Sequence, residues 1–520
     1  MTDGALGKHV VTVTLLPSGR SMEVVAGTRL HEVLVAHGGE SPCGGNGTCR
    51  GCRVKVVQGS CPVTERQREL LLPRELREGW RLACQCMLTE DVAVLQAAAP
   101  AVVLVDDAVD RFIAEAGYGI AADIGTTTLA VQLVDLQNGR VRGLRTALNP
   151  QATLGADIMS RLEAAGRGEA AALTASIRQC VGDMIAALLQ QYDVPASHLK
   201  RVFLVGNTVM HHLFCGLSVE PLSHVPFETT DGGLSILPSS STFSFLCDNT
   251  EVVFLPCLGG FVGSDILAGT AAVQLLQAQG LTLLVDLGTN GEIVLGQGGV
   301  ALCASTAAGP AFEGARISCG MRAGEGAIWR VTDERGELRA DVIGNCEPVG
   351  ICGSGLVDAV AAAVRLGLVT STGRLKDGRL LNVAPGVTLT QADIRQLQLA
   401  KAAVSAGIAV LLERWGTEHG RVETIFLAGA FGNYISIPSA IQIGLFPCGA
   451  DRITAAGNSA LRGARKLLCA GDKRLDQAEL VVASVQHIPL AADPAFLDYY
   501  VDQMSFPQPD AKPIELGVPL

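Results

Sequence analysis

Residues 119–135 read GIAADIGTTTLAVQLVD, which is an apolar strand, a polar turn and a second apolar strand. Residues 281–296, LTLLVDLGTNGEIVLG, repeat this pattern. The matching positions are Asp123 and Asp286, Gly125 and Gly288, and Thr126 and Thr289. A unit that recurs in this way indicates an internal duplication. Because strands here alternate with long alanine-rich helices, we predict two similar α/β halves.

The repeated turn has the composition of a phosphate-binding loop. Glycine and small hydroxyl residues let hydrogen-bond donors approach a phosphate, and an aspartate can hold Mg²⁺ through water. Two such loops that face each other could clamp the phosphates of one nucleotide, although each could also be only a tight hairpin. We therefore predict that Asp123 and Asp286 are catalytic and organise Mg-ATP. The remaining predicted loop contacts are Gly125, Thr126, Thr127, Thr128, Gly288, Thr289 and Asn290.

Two further glycine-rich segments complete the predicted nucleotide site. Residues 422–435, VETIFLAGAFGNYI, run from a strand into Gly429, Gly432 and Asn433, where missing side chains leave room for adenine and ribose. Residues 348–361, PVGICGSGLVDAVA, enter a helix whose free N–H groups could face a phosphate or nucleoside. This second segment could equally serve close helix packing. Its candidate contacts are Gly353, Ser354 and Gly355.

A different chemistry stands in residues 41–56, SPCGGNGTCRGCRVKV. The loop supplies three cysteines and a later position supplies a fourth, which is the thiolate set of a 2Fe-2S cluster. The predicted ligands are Cys43, Cys49, Cys52 and Cys84. Zinc also binds four thiolates, but its ribbons normally use two separated Cys-x-x-Cys pairs. Cys86 is the alternative fourth ligand, since on a strand it would face the same way as Cys84, and Cys61 is taken as a bystander.

The pattern of apolar residues divides the chain into segments. Two short strands, a helix, the cysteine loop and further strands predict an α+β domain at residues 1–95. An alanine-rich linker is expected at 96–117, followed by the duplicated α/β domain at 118–520. Its expected parts are halves at about 118–280 and 281–500 and a C-terminal tail at 501–520.

Composition excludes several classes of function. The chain of 520 residues has a formal net charge of −11, which disfavours nucleic acid as a partner. We find no apolar run of about 18 to 20 residues and no signal peptide, so we predict neither membrane insertion nor export. Outside residues 1–95 the cysteines stand singly in apolar or glycine-rich surroundings, which favours reduced thiols and a cytoplasmic protein.

These segments resemble known families. Residues 8 to about 95, including RLACQ around Cys84, are similar to an adrenodoxin-like ferredoxin, which implies a β-grasp fold. The two phosphate loops and the adenosine loop resemble the actin, sugar kinase and heat-shock chaperone superfamily. Finer motifs resemble the reductive activators of corrinoid proteins, which join such a ferredoxin to such an ATPase. These motifs are NPQATLGADIMSRL, VGNTVMHHLFCGL, LPCLGGFVGSDILAG, AGPAFEGARISCGMRAGEGAI and HIPLAADPAFLDYY.

The last resemblance implies a function. Members return an inactive Co(II) corrinoid protein to Co(I) for methyl transfer, so the expected cofactors are a 2Fe-2S cluster, ATP and Mg²⁺. The expected partners are a corrinoid protein of a methyltransferase system, an upstream low-potential electron donor and a second copy in a homodimer. One departure is expected, because the first phosphate loop directly follows the linker and an extra middle domain found in some members is absent.

Two other functions and several residues stay open. A small-molecule kinase would leave the ferredoxin unexplained, and a simple electron carrier or redox sensor would leave the paired phosphate loops unexplained. The adjacent His211 and His212 point apart on a helix, which disfavours a metal site. Glu292 and Glu313 could orient the attacking water or could simply be solvated or salt-bridged carboxylates, so the general base is unassigned.

Overall fold

The computed structural model describes residues 9–507, apart from 17–19, 37–51, 72, 97–111, 156, 228–230, 315, 377, 379, 418–420, 433 and 447. Cys43, Cys49 and Asn433 therefore lie outside the described residues, as does most of the expected linker. In the segment that follows the gap at 97–111, the Ile113 N–H donates to the Cys469 carbonyl at 3.0 Å. The chain just before the duplicated domain is thus fastened to the second half of that domain.

The N-terminal unit is a five-stranded mixed sheet with a helix packed on it. Its strands are β1 (Val10–Leu16), β2 (Arg20–Val25), β3 (Arg53–Gln58), β4 (Trp80–Leu82) and β5 (Val92–Gln96), and its helices are α1 (Leu30–Ala36), α2 (Glu65–Leu70) and α3 (Pro73–Arg77). The sheet order is β2-β1-β5-β3-β4, with β1 antiparallel to β2 and parallel to β5. Alternation along β1 buries Val11, Val13 and Leu15. The predicted ferredoxin-like fold is confirmed.

The first half of the large domain is built on a six-stranded sheet. Its strands are β6 (Tyr118–Ile124), β7 (Thr128–Asp135), β8 (Arg140–Leu148), β9 (Leu199–Val205), β10 (Ser235–Leu237) and β11 (Glu251–Phe254). Its helices are α4 (Ile158–Ala164), α5 (Ala170–Gln191), α6 (Thr208–Cys215), α7 (Ser239–Thr242) and α8 (Ser264–Ala272). The strand order is β10-β11-β9-β6-β7-β8.

The second half has a six-stranded sheet with two smaller sheets added. Its strands are β12 (Thr282–Leu287), β13 (Gly291–Gln297), β14 (Val300–Thr306), β15 (Ala327–Glu334), β16 (Glu337–Val342), β17 (Gly350–Ile351), β18 (Leu381–Ala384), β19 (Val387–Leu389), β20 (Thr424–Ala428), β21 (Ile453–Gly457) and β22 (Val485–His487). Its helices are α9 (Gly353–Arg365), α10 (Gln391–Trp415), α11 (Gly429–Gly432), α12 (Ile437–Gln442), α13 (Ser459–Leu468), α14 (Arg474–Ser484) and α15 (Pro494–Asp502).

The two large sheets share a five-stranded core of one topology, which confirms the predicted duplication, and differ in the sixth strand, β10 or β22, which is added at opposite edges. The second sheet has the order β21-β20-β12-β13-β14-β22. In each half three antiparallel strands (β6-β7-β8 and β12-β13-β14) are extended by two parallel ones, β9 and β11 or β20 and β21. Asp123 and Asp286 therefore occupy the same position, one residue before the end of the first strand of each sheet.

The two halves meet through helices α8 and α13, which follow the last parallel strand of each core. Their contact is close because small residues face each other: a Cβ on Gly463 would overlap the Ala268 carbonyl oxygen, and one on Gly269 would lie 2.9 Å from the Ser459 hydroxyl oxygen. One hydrophobic core runs across this contact and includes residues of both sheets. This packing brings the turn after β6 and the turn after β12 to a common cleft.

One helical run, Ile158–Gln191, is long and apolar enough by length and composition to cross a membrane. The same test is passed by core helices of soluble proteins. In this fold Ile177, Val181 and Ile185 of the run are fully buried against the first sheet. The apolar character of the run is thereby used within the core.

Candidate functional site

The first phosphate loop joins β6 to β7. A Cβ on Gly125 would overlap the Thr128 carbonyl oxygen, so the tight turn requires glycine there. The Asn207 amide, from the N-cap of α6, donates to Thr126 Oγ1 at 2.9 Å. Thr126 and Thr127 are partly exposed, and Thr128 at the start of β7 is exposed. Asn207 therefore anchors the loop through the Thr126 hydroxyl, while part of the loop stays open to solvent.

The second phosphate loop, between β12 and β13, has a different internal arrangement. The Gly288 N–H donates to the Asn290 carbonyl at 2.9 Å, and Thr289 Oγ1 donates to Glu313 at 2.6 Å. Glu313, which the sequence left without a role, thus fixes a loop hydroxyl. Gly429 approaches from β20 with φ of 85°, and a Cβ there would lie 2.5 Å from an Asp286 carboxylate oxygen. The segment predicted to hold adenosine therefore abuts the second loop.

The glycine-rich segment that enters α9 is closely packed against its neighbours. On α9, a Cβ on Gly353 would overlap the Phe312 carbonyl oxygen, and one on Gly355 would overlap the carbonyl oxygen of Ile328. Ser354 Oγ donates to the Trp329 carbonyl at 2.8 Å. Close packing is enough to explain these glycines, and their role as nucleotide contacts stays a prediction.

Residues Gly429–Gly432 of the predicted adenosine loop form the short helix α11. Its Phe431 stacks on Phe312, with the ring centroids 4.9 Å apart, so an aromatic pair supports the loop. A Cβ on Gly432 would lie 3.1 Å from the Leu427 side chain, tighter than an ordinary contact. The chain here needs small residues.

Four carboxylates from both halves converge in the cleft, and each belongs to a residue that is partly exposed. Burial raises the pKa of Asp123 to about 6, although a hydrogen bond from Asn458 opposes the shift. Burial, and then the charge of Asp123, raise the pKa of Asp286 to about 7. Burial raises the pKa of Glu292 as well, with the charges of Asp265 and Asp286 adding to it. The carboxylates of the two halves therefore lie close enough to act on each other electrostatically.

Asp265 is the member of this group that the sequence reasoning missed. It lies in the first turn of α8, and burial followed by the charges of Asp123 and Asp286 raises its pKa to about 8. The N-terminus of α8 is joined to the end of β9 within the first half, because the Ser264 N–H donates to the Gly206 carbonyl at 2.9 Å. The motif LPCLGGFVGSDILAG contained the residue, but only the folded chain brings it to the cleft.

A hydrogen bond also crosses the cleft. The Asn458 amide, at the N-cap of α13, donates to Asp123 Oδ2 at 3.0 Å, while its oxygen accepts from the Leu461 N–H at 2.8 Å. Among the described residues no group of three carboxylate, thiol or imidazole side chains is arranged to hold a metal ion.

The structure describes two of the four predicted cluster ligands. Cys52 begins the segment that leads into β3, and Cys84 lies in a short 3₁₀ turn, Ala83–Gln85; both are buried. The Ala83 N–H donates to the Cys52 carbonyl at 2.9 Å, which joins the two segments. The Gln85 amide lies 3.8 Å from Cys84 Sγ. Buried thiols at joined segments, with a nearby amide donor, fit a cluster ligated by thiolates.

The neighbouring cysteines have a separate contact. The Cys86 thiol donates to Cys61. This hydrogen bond, with burial adding to it, raises the pKa of Cys86, and the same hydrogen bond lowers the pKa of Cys61 against the opposing effect of burial. The expectation that Cys84 and Cys86 share a strand is wrong, because β4 ends at Leu82 and the 3₁₀ turn follows. The choice of Cys84 as the fourth ligand stays a prediction.

His211 and His212 are both fully buried structural residues of α6. His211 Nε2 is 3.1 Å from Ser235 Oγ, and His212 Nδ1 is 2.6 Å from the Ser218 carbonyl oxygen. Burial lowers both pKa values, that of His211 to about 3. Both rings are engaged in the first half.

Comparison with known proteins agrees with this architecture. Residues 13–89 match the family of 2Fe-2S iron-sulfur cluster binding domains, 118–278 the family described as RACo middle region, and 280–516 the C-terminal domain of RACo, the ASKHA domain. The corrinoid activation enzyme RamQ of Eubacterium limosum is 34% identical over 75% of this chain and 70% of its own. The chain belongs to the family of corrinoid-protein activators.

Other members of the corrinoid-protein activator family agree. The [Co(II) methylated amine-specific corrinoid protein] reductase of Methanosarcina barkeri is 28% identical over 75% of this chain and 77% of its own. The solved structure of a reductive activator for corrinoid, iron-sulfur protein covers 96% of this chain and 99% of its own, with 26% identity and a TM-score of 0.66. The match at 118–278 contradicts the expectation that this activator lacks a middle domain: the first half is itself the middle region.

Proposed function

We propose that the protein is an ATP-dependent reductive activator, which returns a Co(II) corrinoid protein to Co(I) by transferring one electron. The main observation behind this proposal is that one chain joins two units. The first is a ferredoxin fold in which Cys52 and Cys84 are buried, and the second is a duplicated domain whose cleft is lined by carboxylates from both halves. The named activities of its relatives support this proposal. The partner is a corrinoid protein of a methyltransferase system.

The N-terminal unit would hold its cofactor through Cys43, Cys49, Cys52 and Cys84. When bound, a 2Fe-2S cluster of the plant type supplies one electron at roughly −400 mV. Each uphill gap of about 59 mV makes a one-electron step tenfold less favourable. A gap on the order of 200 mV would therefore require about 4.6 kcal/mol, which the nucleotide must provide.

The cleft can couple nucleotide to conformation because its two walls belong to different halves. Burial raises the pKa values of Asp123, Asp265 and Asp286, and repulsion from neighbouring ionised carboxylates adds to the shift at Asp265 and Asp286, so full ionisation of the empty cleft is opposed at neutral pH. Mg²⁺ carried in with ATP would offset this repulsion and draw the halves together. A ligand shifts a conformational equilibrium only by binding two states differently, and a cleft shared between two halves meets that condition.

The finer assignments belong to the same proposal. Asp123 and Asp286 would organise Mg-ATP, with adenosine at Gly429, Gly432 and Asn433. The chain would be divided into a ferredoxin domain at 1–95, a linker at 96–117 and the ATPase domain at 118–520. An upstream low-potential donor would reload the ferredoxin domain, the protein would work in the cytoplasm, and it could pair as a homodimer.

The test examines ATP hydrolysis and cluster binding separately. Asp286→Asn should lower Mg-ATP hydrolysis at least tenfold while the visible spectrum of anaerobically purified protein keeps its cluster bands. Asp333→Asn is the matched control, because Asp333 pairs with Arg365 on the surface of the same half at 2.7 Å. If Asp286→Asn hydrolysed Mg-ATP at the wild-type rate, the proposal that this cleft binds and hydrolyses ATP would be wrong.

A further inference from the structure

The first phosphate loop is held by its main-chain carbonyls. The Gly125 carbonyl accepts a hydrogen bond from the side-chain amide of Asn149 at 2.9 Å. The Thr127 carbonyl accepts one from the main-chain N–H of Asn149, also at 2.9 Å. The carbonyl between them, that of Thr126, accepts from Arg161 Nη2 at 2.6 Å. Three successive carbonyls are thus bound by donors from outside the loop.

This arrangement decides where the loop's N–H groups point. In a planar trans peptide the carbonyl and the following N–H point in opposite directions. Because the three carbonyls point toward Asn149 and Arg161, the N–H groups of the next residues, Thr126, Thr127 and Thr128, point away from them. A row of N–H groups on one side of a loop is what binds a phosphate.

Arg161 is itself fixed in the core. It is fully buried, its Nε donates to the Gly155 carbonyl at 2.9 Å and its Nη1 to Gln151 Oε1 at 3.1 Å. The Gln151 amide in turn donates to the Leu173 carbonyl of α5 at 2.9 Å. The guanidinium therefore links the loop to the long helix that covers the first sheet.

The charge of Arg161 supports a role toward an anion. Burial lowers its pKa to about 10, so it stays charged at neutral pH, and Asp157 is the carboxylate that acts on it from nearby. Its side-chain hydrogen-bond acceptors within the described residues are neutral oxygens and the Met210 sulfur. Burying a cation against neutral partners is costly, and a phosphate on the far side of the loop would offset part of that cost.

The second loop lacks this arrangement among the described residues. Its Gly288 N–H is used within the loop, and the side-chain bond that holds it ends on a carboxylate, Glu313. The halves are alike in fold but differ in how each loop is held. The first loop is preformed around a buried cation, and the second is tied to a negative charge.

We propose that Arg161 is a positioning residue of the nucleotide site, which holds the first phosphate loop in its phosphate-binding conformation through the Thr126 carbonyl. This inference rests on the proposed function, since it assumes that the cleft binds ATP. It assigns the motif NPQATLGADIMSRL, which supplies both Asn149 and Arg161, to the binding of phosphate.

The test compares a ligand that has phosphates with one that has none. Dissociation constants of Mg-ATP and of adenosine are measured by calorimetry or competition for wild type, Arg161→Met and Arg161→Lys. Loss of a charge-assisted hydrogen bond predicts a weakening for Mg-ATP of roughly 30-fold in Arg161→Met and roughly tenfold in Arg161→Lys, with adenosine unchanged. Lysine keeps the charge but cannot reach three acceptors in the fork geometry of arginine.

Arg178→Met is the matched control, because Arg178 donates to the Phe214 carbonyl at 2.7 Å in the same half and outside the loop. It should leave both constants unchanged. Equal weakening of Mg-ATP and adenosine, or wild-type Mg-ATP binding in Arg161→Lys, would overturn the inference, and the lysine variant decides alone if the methionine variant does not fold. Failure of the wild type to bind Mg-ATP would overturn the proposed function as well.

Discussion

Replacing Asp265 by asparagine should make the nucleotide-free protein more stable at alkaline pH. The carboxylate of Asp265 is buried near those of Asp123 and Asp286, and its pKa is raised to about 8. The folded state therefore binds a proton that the unfolded state has already released. Stability due to this group is greatest at low pH and is lost as the pH rises from about 4 to about 8.

The magnitude follows from the two pKa values. With a folded value of about 8 and an ordinary value of 3.8, the ability of Asp265 to ionise in the unfolded chain lowers the free energy of unfolding by about 3 kcal/mol at pH 6 and about 5 kcal/mol at pH 8. Asparagine cannot ionise, so the variant should gain about 2 kcal/mol over wild type between these two pH values. For a domain of about 400 residues that unfolds as one unit this corresponds to about 2 to 3 °C in melting temperature.

The assay is thermal unfolding of the large domain at pH 6 and pH 8 without nucleotide. Asp393→Asn is the control of opposite sign. Burial acts to raise the pKa of Asp393, but hydrogen bonds from Ser318 and Thr390 prevail and hold it below its ordinary value. Since Asp393 is ionised at both pH values, its loss should lower the melting temperature equally at each. A wild-type pH slope that persists unchanged in Asp265→Asn would refute the electrostatic reading of the cleft.

Three further predictions test other parts of the structure. Cys84→Ser should bleach the visible spectrum of the cluster, while Cys86→Ser leaves it intact. The opposite result would show that Cys86, and not Cys84, is the fourth ligand. Gly263→Ala should weaken Mg-ATP binding more than tenfold, since its Cβ would overlap the Gly206 carbonyl oxygen and displace the start of α8; unchanged affinity by calorimetry would contradict that contact. Asn458→Ala removes the hydrogen bond across the cleft and should lower kcat for ATP hydrolysis several-fold, whereas an unchanged kcat would make the bond incidental.

The duplicated fold was readable from sequence because its signal is local. Asp123 and Asp286 each stand near the end of an apolar strand and before a glycine turn, and both features lie within a few neighbouring residues. Asp265 carries no comparable signal. Its place in the cleft depends on Ser264 meeting Gly206, a contact between segments far apart in the chain.

The same distinction explains the errors. Residues 79–88 alternate like a strand, yet a 3₁₀ turn interrupts them at Ala83–Gln85, where the Ala83 N–H turns to meet the carbonyl of Cys52. The expectation of a missing middle domain arose because the first phosphate loop was assigned to the ATPase and not to a separate region. The fold of residues 118–278 serves as both.

The most direct test of the central claim is Co(I) formation on a corrinoid protein of a methyltransferase system. Chemically reduced activator is mixed anaerobically with the Co(II) partner, and the Co(I) absorption band is followed with and without Mg-ATP. The account predicts that the band grows with Mg-ATP and fails to grow without it, and that Asp286→Asn and Cys52→Ser each abolish it. Growth of the band at the same rate and to the same extent without nucleotide would contradict the claim that the cleft drives the electron.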